Sequence, residues 1–252
     1  MLIGRFSFNG KRFYGNLDPN EQKIYELKTP HDLQSLTGKF FLPEEIQIMP
    51  PCLPTKVICV GLNYRDHAEE FSVPVPEEPV LFLKPPSAIT GHKMPVVYPA
   101  TSKQVDYEAE LAVVIGKIAK NIPVKKTPEH ILGLTCANDI TARDLQTKDG
   151  QWTRAKSFDT FSPLGPYINT ELDPSNLHIN LQVNGEVRQK SNTENLIFSV
   201  YELVSFISHI MTLLPGDVIL TGTPSGVGPL HVGDEVTVFV EGIGALNNHV
   251  IA

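Results

Sequence analysis

Short apolar segments separated by proline and glycine recur along the whole chain, and this pattern limits the fold most narrowly. The sequence contains 21 prolines and 18 glycines, most of them between segments rich in valine, isoleucine, leucine and phenylalanine. Segments of this kind are typical of strands. Asn9-Gly10 and Asn184-Gly185 each lie between two such segments, which is a strong hairpin signal. Because strands do not alternate with helices, we predict a β-rich α+β protein with few short helices and no doubly wound parallel sheet.

Two helices and one boundary are also predicted. Ser199 and Glu202 form a capping box at the start of a helix over 199–211, and Pro215-Gly216 follows its end. Asn63 is expected to cap a short helix that follows it. The proline-rich segment IMPPCLP ends at residue 54, and the character of the sequence changes there. We therefore predict a small N-terminal β appendage over residues 1–54 and a main domain over 55–252.

Charge and cysteine usage exclude several classes of protein. The chain carries 21 lysines and arginines against 28 acids, a net charge of −7, without a basic block, so no nucleic acid partner is expected. The apolar segments are too short to span a membrane, and no signal peptide pattern is visible, so we expect no membrane association and a cytoplasmic location. Cys52, Cys59 and Cys136 lack the spacing of a zinc site and are expected to be buried, reduced and inert.

The segment DYEAELAVVIG, residues 106–116, places acids inside a predicted strand. Glu108 and Glu110 are two residues apart and are expected on the same face, where their charges repel. Water, protonation of one acid or a cation between them would relieve that repulsion. Asp139 follows the next apolar stretch. Together the three carboxylates form an oxygen-only ligand set that suits Mg²⁺, Mn²⁺ or Ca²⁺ better than zinc. The alternative is a solvated edge strand with Asp139 capping a turn.

His67 and Glu70 lie three residues apart on the short helix predicted after Asn63. On a helix this spacing allows a hydrogen bond, and a carboxylate that orients an imidazole is the usual form of a general base. The alternative is a pair of surface residues. Gly61 and the proline-rich segment VPVPEEP, residues 73–79, flank this helix, so we also predict a lid that closes on a ligand.

Two further segments carry candidate ligand-binding groups. Residues 141–161 are polar but include Trp152, and Lys156, Arg143 and Gln146 within them are candidates to reach an anion in a pocket. The alternative is a surface loop with a snorkelling lysine. The glycine-rich LTGTPSGVG, residues 220–228, matches neither common nucleotide motif. We expect its threonines and backbone N–H groups to face a small anion, unless the segment is only a turn.

Taken in order, these segments resemble the fumarylacetoacetate hydrolase family. The resemblance covers about residues 55–245 and rests on several motifs in sequence: VGLNYRDHAEE, PVLFLKP, DYEAELAVVIG, NDITARDLQ, AKSFDTF, VNGEVRQ and ILTGTPSGVG. It implies mixed β-sheets rolled around the site, a catalytic domain over 55–252 and a homodimer. Residues 1–54 resemble, less closely, the small N-terminal appendage of some bacterial and archaeal members.

The resemblance also implies roles for nine residues. The metal ligands for Mg²⁺ or Mn²⁺ correspond to Glu108, Glu110 and Asp139. A catalytic dyad corresponds to His67 and Glu70, and Lys156 matches the family's active-site lysine. Positions that line the substrate pocket correspond to Arg143, Gln146 and Thr223.

The implied activity is that of a divalent-metal-dependent enzyme on small 2-oxo acids, acting through a metal-stabilised enolate. We expect cleavage of a C–C bond, as in an acylpyruvate hydrolase or a 2-oxo-dicarboxylate decarboxylase. The same enolate serves an isomerase of 2-hydroxyhepta-2,4-diene-1,7-dioate or a keto–enol tautomerase. A non-catalytic binder of 2-oxo acids is the alternative from another class, although chelation alone needs neither the dyad nor Lys156. Arg65, Arg143 and Arg154 are candidate anchors for a distal carboxylate.

Overall fold

The computed structural model describes residues 1–29, 32–70 and 74–252. Its strands, in chain order, are β1 Leu2–Phe8, β2 Lys11–Asp18, β3 Lys23–Leu27, β4 Leu36–Phe41, β5 Gln47–Met49, β6 Val57–Gly61, β7 Val80–Lys84, β8 Ile89–Thr90, β9 Pro95–Val97, β10 Val105–Tyr107, β11 Ala109–Ile115, β12 Ile131–Asn138, β13 Thr141–Ala142, β14 Ser162–Asn169, β15 His178–Val183, β16 Glu186–Asn192, β17 Val218–Leu220, β18 Gly228–Leu230, β19 Glu235–Val240 and β20 Gly244–Ile251. Its α-helices are α1 Arg65–Glu70, α2 Arg143–Asp149, α3 Thr153–Lys156 and α4 Val200–Ile210, with 3₁₀ turns at Pro43–Glu45, Pro86–Ala88, Val124–His130 and Thr193–Asn195.

Most strands join one large mixed sheet. Its order is β4-β3-β2-β1-β14-β12-β11-β17-β6-β7, with β5 beside β1 and β8 beside β14. A five-stranded sheet has the order β16-β15-β19-β20-β9, and a three-stranded sheet the order β13-β10-β18. The pairs β6 with β17, β8 with β14 and β9 with β20 are parallel, whereas the other strand pairs are antiparallel. The predicted β-rich α+β class with few short helices is confirmed.

Both predicted hairpins are present. Asn9 and Gly10 have φ values of 48° and 77° in the turn between β1 and β2, and Asn184 and Gly185 have 52° and 81° between β15 and β16. Two consecutive left-handed residues match the twist of the flanking strands, which is why Asn-Gly is favoured there.

The N-terminal strands continue the main sheet. Leu2 and Ile3 of β1 pair with Asn169 and Ile168 of β14. Backbone hydrogen bonds therefore join the first 54 residues to the rest of the chain. The division into an appendage over 1–54 and a catalytic domain over 55–252 stays a prediction.

Strand β11 lies between β12 and β17 in the main sheet and is buried on both faces. Leu111, Val113 and Ile115 belong to one apolar cluster, whereas Ala112 and Val114 belong to a second. A strand between two neighbours and two apolar layers excludes water, so polar groups at its ends lie in a low-dielectric environment. The candidate acids lie at the N-terminal end of this strand.

Both predicted helices are present as α1 and α4, but the predicted cap of α1 is wrong. Helix α4 begins with the predicted capping box, in which Ser199 Oγ accepts from the Glu202 N–H at 3.3 Å and Glu202 Oε2 accepts from the Ser199 N–H at 2.8 Å. Asn63 does not cap α1. Its amide nitrogen donates to the carbonyls of Phe198 and Thr221 at 3.0 and 2.8 Å, so the side chain joins the segment before α4 to the loop after β17.

The three cysteines are buried and unpaired, as predicted. Among the described residues, no helix is long and apolar enough to cross a bilayer.

Candidate active site

Three buried carboxylates lie close together, near the junction of β10 and β11 and the end of β12. Glu108 lies in the break between β10 and β11, Glu110 on β11, and Asp139 directly after β12. The Asp139 N–H donates to the Glu108 carbonyl at 2.8 Å, which holds the two chain segments together. One carboxylate oxygen from each of the three acids lies within 4.8 Å of the others, and all three residues are buried. The solvated-edge alternative is therefore wrong.

Two lysines neutralise part of this charge. Lys156 Nζ donates to Glu108 Oε2 at 2.8 Å and to Asp139 Oδ2 at 2.7 Å, so the predicted active-site lysine does reach the acids. Lys84, at the end of β7, was missed in the sequence. Its buried ammonium contacts Asp139 Oδ1 and donates to the carbonyls of Ile140 and Phe161. The sequence signal for this residue is a single lysine in the apolar segment PVLFLKP. A lysine is almost never fully buried unless it is paired, so a lysine in an apolar strand indicates an acidic partner nearby.

Arg143 is the third cation at the site. Its guanidinium contacts Glu108 Oε1, donates through Nε to Asp106 Oδ2 at 2.8 Å, and donates through Nη1 to Gln146 Oε1 at 2.6 Å. Asp106, the first acid of the DYEAE segment, therefore orients Arg143 and is not one of the three clustered acids. Glu108 also accepts from Thr141 Oγ1 at 3.1 Å.

Glu110 is the acid whose charge is least compensated. Burial alone raises the pKa of Glu108, but the adjacent Lys156 and Arg143 lower it to about 2. For Glu110, burial followed by repulsion from Asp139 and Glu108 raises the pKa well above its usual range. Among the described residues, the hydrogen-bond donor to the Glu110 carboxylate is the Gly222 N–H, at 2.6 Å.

The residues present fit a divalent cation. The described site holds four acids, Asp106, Glu108, Glu110 and Asp139, against three cations, Lys84, Arg143 and Lys156. With all seven groups ionised, one buried negative charge would be unbalanced, and the clustered donors are all oxygens, which is the ligand chemistry of Mg²⁺ and Mn²⁺. A cation held by the three clustered acids would favour the ionised form of Glu110.

A cavity of about 290 Å³ opens beside the acids. Its polar lining includes the predicted residues His67, Glu108, Glu110, Asp139, Arg143, Gln146, Lys156 and Thr223, and its apolar lining includes Val60, Leu62, Phe82 and Trp152. Phe82 and Trp152 meet edge to face at 5.1 Å, and Lys156 Nζ lies 4.9 Å from the centre of the Phe82 ring. Eight of the nine predicted site residues thus face one cavity.

The ninth residue, Glu70, contacts His67 instead of the cavity. His67 Nδ1 lies 3.3 Å from Glu70 Oε2, at the predicted spacing on α1. A carboxylate accepts from Nδ1–H, which in the neutral ring leaves Nε2 as the basic nitrogen. Asp66 Oδ2 accepts from Ser191 Oγ at 2.8 Å and fixes α1 against the hairpin of β15 and β16. The predicted lid includes residues 71–73, which lie outside the described residues.

The loop after β17 connects these groups. The Gly222 N–H binds Glu110, and the Gly226 N–H lies 3.2 Å from Glu70 Oε1. Thr221 Oγ1 donates to the Leu111 carbonyl at 2.9 Å. Backbone N–H groups of this segment therefore face carboxylates of the protein itself, and a small anion at this loop stays a prediction.

Of the three arginines considered as anchors for a distal carboxylate, only Arg143 lines the cavity. Arg154 Nε donates to Asp149 at 2.7 Å on the exposed side of α3. Arg65 Nη1 donates to the Leu196 carbonyl at 2.9 Å.

Known proteins resemble this chain over most of its length. The family model described as fumarylacetoacetate (FAA) hydrolase, C-terminal, matches residues 56–251. The structure of 5-carboxymethyl-2-hydroxymuconate delta-isomerase from Mycobacterium smegmatis superposes with a TM-score of 0.94 at 44% identity, covering 100% of this chain and 99% of that one. The mitochondrial oxaloacetate tautomerase FAHD2A of Bos taurus is 47% identical over 81% of this chain and 69% of its own length.

A third relative carries a metal. The structure of fumarylpyruvate hydrolase from Pseudomonas aeruginosa, in complex with Mn²⁺ and pyruvate, has a TM-score of 0.75 at 37% identity and covers 80% of this chain and 91% of that one.

Proposed function

The chain belongs to the fumarylacetoacetate hydrolase family, and from that premise we propose that it is a divalent-metal-dependent enzyme that moves a proton at the carbon next to the ketone of a small 2-oxo acid. One observation carries the proposal. Three buried carboxylates, of which Glu110 has no cationic side chain as a direct partner among the described residues, lie in the same cavity wall as a lysine, and an imidazole–carboxylate pair lies at its edge. Chelation alone needs no such pair, which argues against a non-catalytic binder.

Glu108, Glu110 and Asp139 would hold the cation, Mg²⁺ or Mn²⁺. When bound there, the cation would supply Lewis acidity toward the oxygens of the 2-oxo acid. Thr223 and Gln146 line the same cavity and have polar groups that suit a carboxylate.

His67 is positioned to take the proton. Glu70 accepts from Nδ1, so Nε2 is the base, and the carboxylate stabilises the imidazolium that results. Lys156 places a positive charge beside the oxygens where negative charge develops on the substrate. Because Lys156 is buried and the Phe82 ring lies 4.9 Å from its ammonium, water screens the interaction poorly and its effect is large.

Return of the proton to the substrate gives a keto–enol tautomerase or double-bond isomerase. This branch is favoured by the bovine oxaloacetate tautomerase and the mycobacterial delta-isomerase, the latter matching the full length of this chain. This branch also requires the fewest functional groups, since one histidine both removes and returns the proton.

Cleavage of a C–C bond is the second candidate. The Pseudomonas hydrolase, whose structure contains Mn²⁺ and pyruvate, favours it. Here the same His67 would activate a water molecule toward a distal carbonyl, with pyruvate and a carboxylic acid as products. Loss of CO₂ from a 2-oxo dicarboxylate is the remaining cleavage reaction that the same proton chemistry allows.

The proposal is tested by an NMR time course with oxaloacetate, acetylpyruvate and 2-oxohept-3-enedioate, each with Mg²⁺, Mn²⁺ or excess chelator. Faster enol–keto exchange or double-bond migration identifies the isomerase branch, and release of pyruvate with a carboxylic acid, or of CO₂, identifies the cleavage branch. Glu110→Gln should abolish metal-dependent turnover, whereas the exposed Glu44→Gln should not change it. Full activity of Glu110→Gln in excess chelator would refute the scheme.

The homodimeric state and the cytoplasmic location stay predictions. Size-exclusion chromatography with light scattering tests the first, and microscopy of a tagged protein in its host tests the second.

A further inference from the structure

Gln189 links the metal-binding strand to the substrate side of the cavity, although the sequence pattern gave it no role. It is the last residue of the motif VNGEVRQ, lies on β16 and is 1% exposed. Its Oε1 accepts from the Ala109 N–H at 2.8 Å, between the two glutamates of the candidate metal site. Its Nε2 donates to Thr223 Oγ1 at 2.9 Å and to the Pro224 carbonyl at 2.8 Å.

These neighbours allow only one orientation of the Gln189 amide. The backbone N–H of Ala109 can only donate, and the carbonyl of Pro224 can only accept. A flipped amide would place two donors together and two acceptors together, both in a buried site where unpaired polar groups are costly. The amide nitrogen therefore faces Thr223.

The orientation of the amide fixes the direction of the next hydrogen bond. Since Thr223 Oγ1 accepts from Gln189, the Thr223 hydroxyl proton is not needed in that bond and can be donated elsewhere. Thr223 is 5% exposed and lines the cavity. The hydroxyl is thereby held as a hydrogen-bond donor for an acceptor in the cavity.

A second neutral side chain of the cavity, Gln146, is also held with its amide nitrogen available to donate. Arg143 Nη1 donates to Gln146 Oε1, so the acceptor end of that amide is already used and the nitrogen is the end left to donate. Gln146, too, lines the cavity. The neighbours of Thr223 and Gln146 thus leave both side chains available as hydrogen-bond donors. Two donors in the cavity suit a ligand whose oxygens carry negative charge.

We propose that Gln189 is a positioning residue that holds the Thr223 hydroxyl as a donor to the anionic oxygens of the bound acid. The inference rests on the proposed function and extends it to a residue that does not touch the substrate. It predicts that replacing the Gln189 amide donor by an acceptor weakens the binding of an anion, and that this loss disappears when the Thr223 hydroxyl is absent.

The test is a double-mutant cycle read by calorimetric titration with oxalate, a small dianion of the proposed ligand class, on Mn²⁺-loaded protein. Gln189→Glu keeps the shape but offers Thr223 an acceptor, so the hydroxyl proton turns away from the cavity. We expect Thr223→Val and Gln189→Glu each to weaken oxalate binding roughly 10- to 100-fold, the value of one hydrogen bond to a charged group. In the Thr223→Val background, Gln189→Glu should then change affinity less than about 2-fold.

Equal losses from Gln189→Glu in both backgrounds would overturn the proposal, since they would show a general structural effect. Unchanged oxalate affinity in Gln189→Glu would overturn it as well. If Gln189→Glu does not fold, Gln189→Met removes the same hydrogen bond without a charge, and its loss should likewise vanish in the Thr223→Val background. A wild-type protein that binds Mn²⁺ but not oxalate would refute the proposed function itself, and the role of Gln189 with it.

Discussion

Asp217 anchors the strand that leads into the site loop, and its charge makes a measurable contribution to stability. Its side chain is fully buried between the starts of β6 and β17. Oδ1 accepts from the Thr55 N–H, the Thr55 hydroxyl and the Lys56 N–H at 3.0, 2.7 and 3.2 Å. Oδ2 contacts the Lys56 ammonium and accepts from the Leu214 N–H at 2.8 Å.

Asp217→Asn preserves the shape but replaces one carboxylate oxygen by an amide nitrogen. If the remaining oxygen occupies the Oδ1 position, the three donors to Oδ1 keep their acceptor. The Leu214 N–H and the Lys56 ammonium then face the amide nitrogen, which is also a donor. A hydrogen bond to a charged group contributes roughly 1.5–3 kcal/mol, so losing two lowers the free energy of unfolding by about 3–6 kcal/mol. For a chain of this size, that corresponds to a fall in Tm of roughly 10 °C.

The effect has a defined dependence on pH. Burial alone raises the pKa of Asp217, but the hydrogen bonds from Lys56 and Leu214 hold it below its usual range. The folded pKa is thus lower than the unfolded value of about 3.9, so the stabilisation is present above that value and disappears as the pH falls through the folded pKa. The difference in Tm between wild type and Asp217→Asn should be full at pH 7 and shrink in acid.

Differential scanning calorimetry of metal-free protein at several pH values measures both quantities. Asp159→Asn, at an exposed position, is the matched control and should shift Tm by less than about 1 °C, as surface substitutions usually do. A fall below about 2 °C at pH 7 for Asp217→Asn, or a difference independent of pH, would refute the reasoning.

Three further predictions concern the site. His67→Gln should lower kcat roughly 100- to 10,000-fold while Mn²⁺ affinity, measured by calorimetry, stays unchanged; a large loss of Mn²⁺ binding would contradict its role as base. Gly61→Ala should raise KM several-fold with little change in Tm, because the added Cβ would lie 2.9 Å from Trp152 and push the ring into the cavity. An unchanged KM would show that Trp152 does not shape the substrate-binding cavity. Gly226→Ala should lower kcat. Gly226 has φ +92°, and an added Cβ would lie 2.3 Å from a β16 carbonyl oxygen, so the backbone would shift and move the N–H that binds Glu70. Wild-type kinetics in this variant would show that the contact with Glu70 is dispensable.

The sequence by itself determined the features that depend on local spacing. Alternating apolar segments and Asn-Gly turns specify strands and hairpins because side-chain direction repeats every two residues and left-handed turns select those residues. In the same way, the spacing of Glu108 and Glu110 identified two members of the carboxylate cluster, and the spacing of His67 and Glu70 matched the observed contact.

Only the tertiary structure decided which distant groups meet. Lys84 contacts Asp139 from 55 residues away, and Gln189 reaches Ala109 across 80. Asn63 looked like a helix cap because its local sequence fits one, yet its amide binds groups more than 130 residues away. Such choices depend on which strands become neighbours and on how buried charges balance, and no local pattern contains that information. The physical reason is that burial, not spacing, sets the cost of an unpaired polar group.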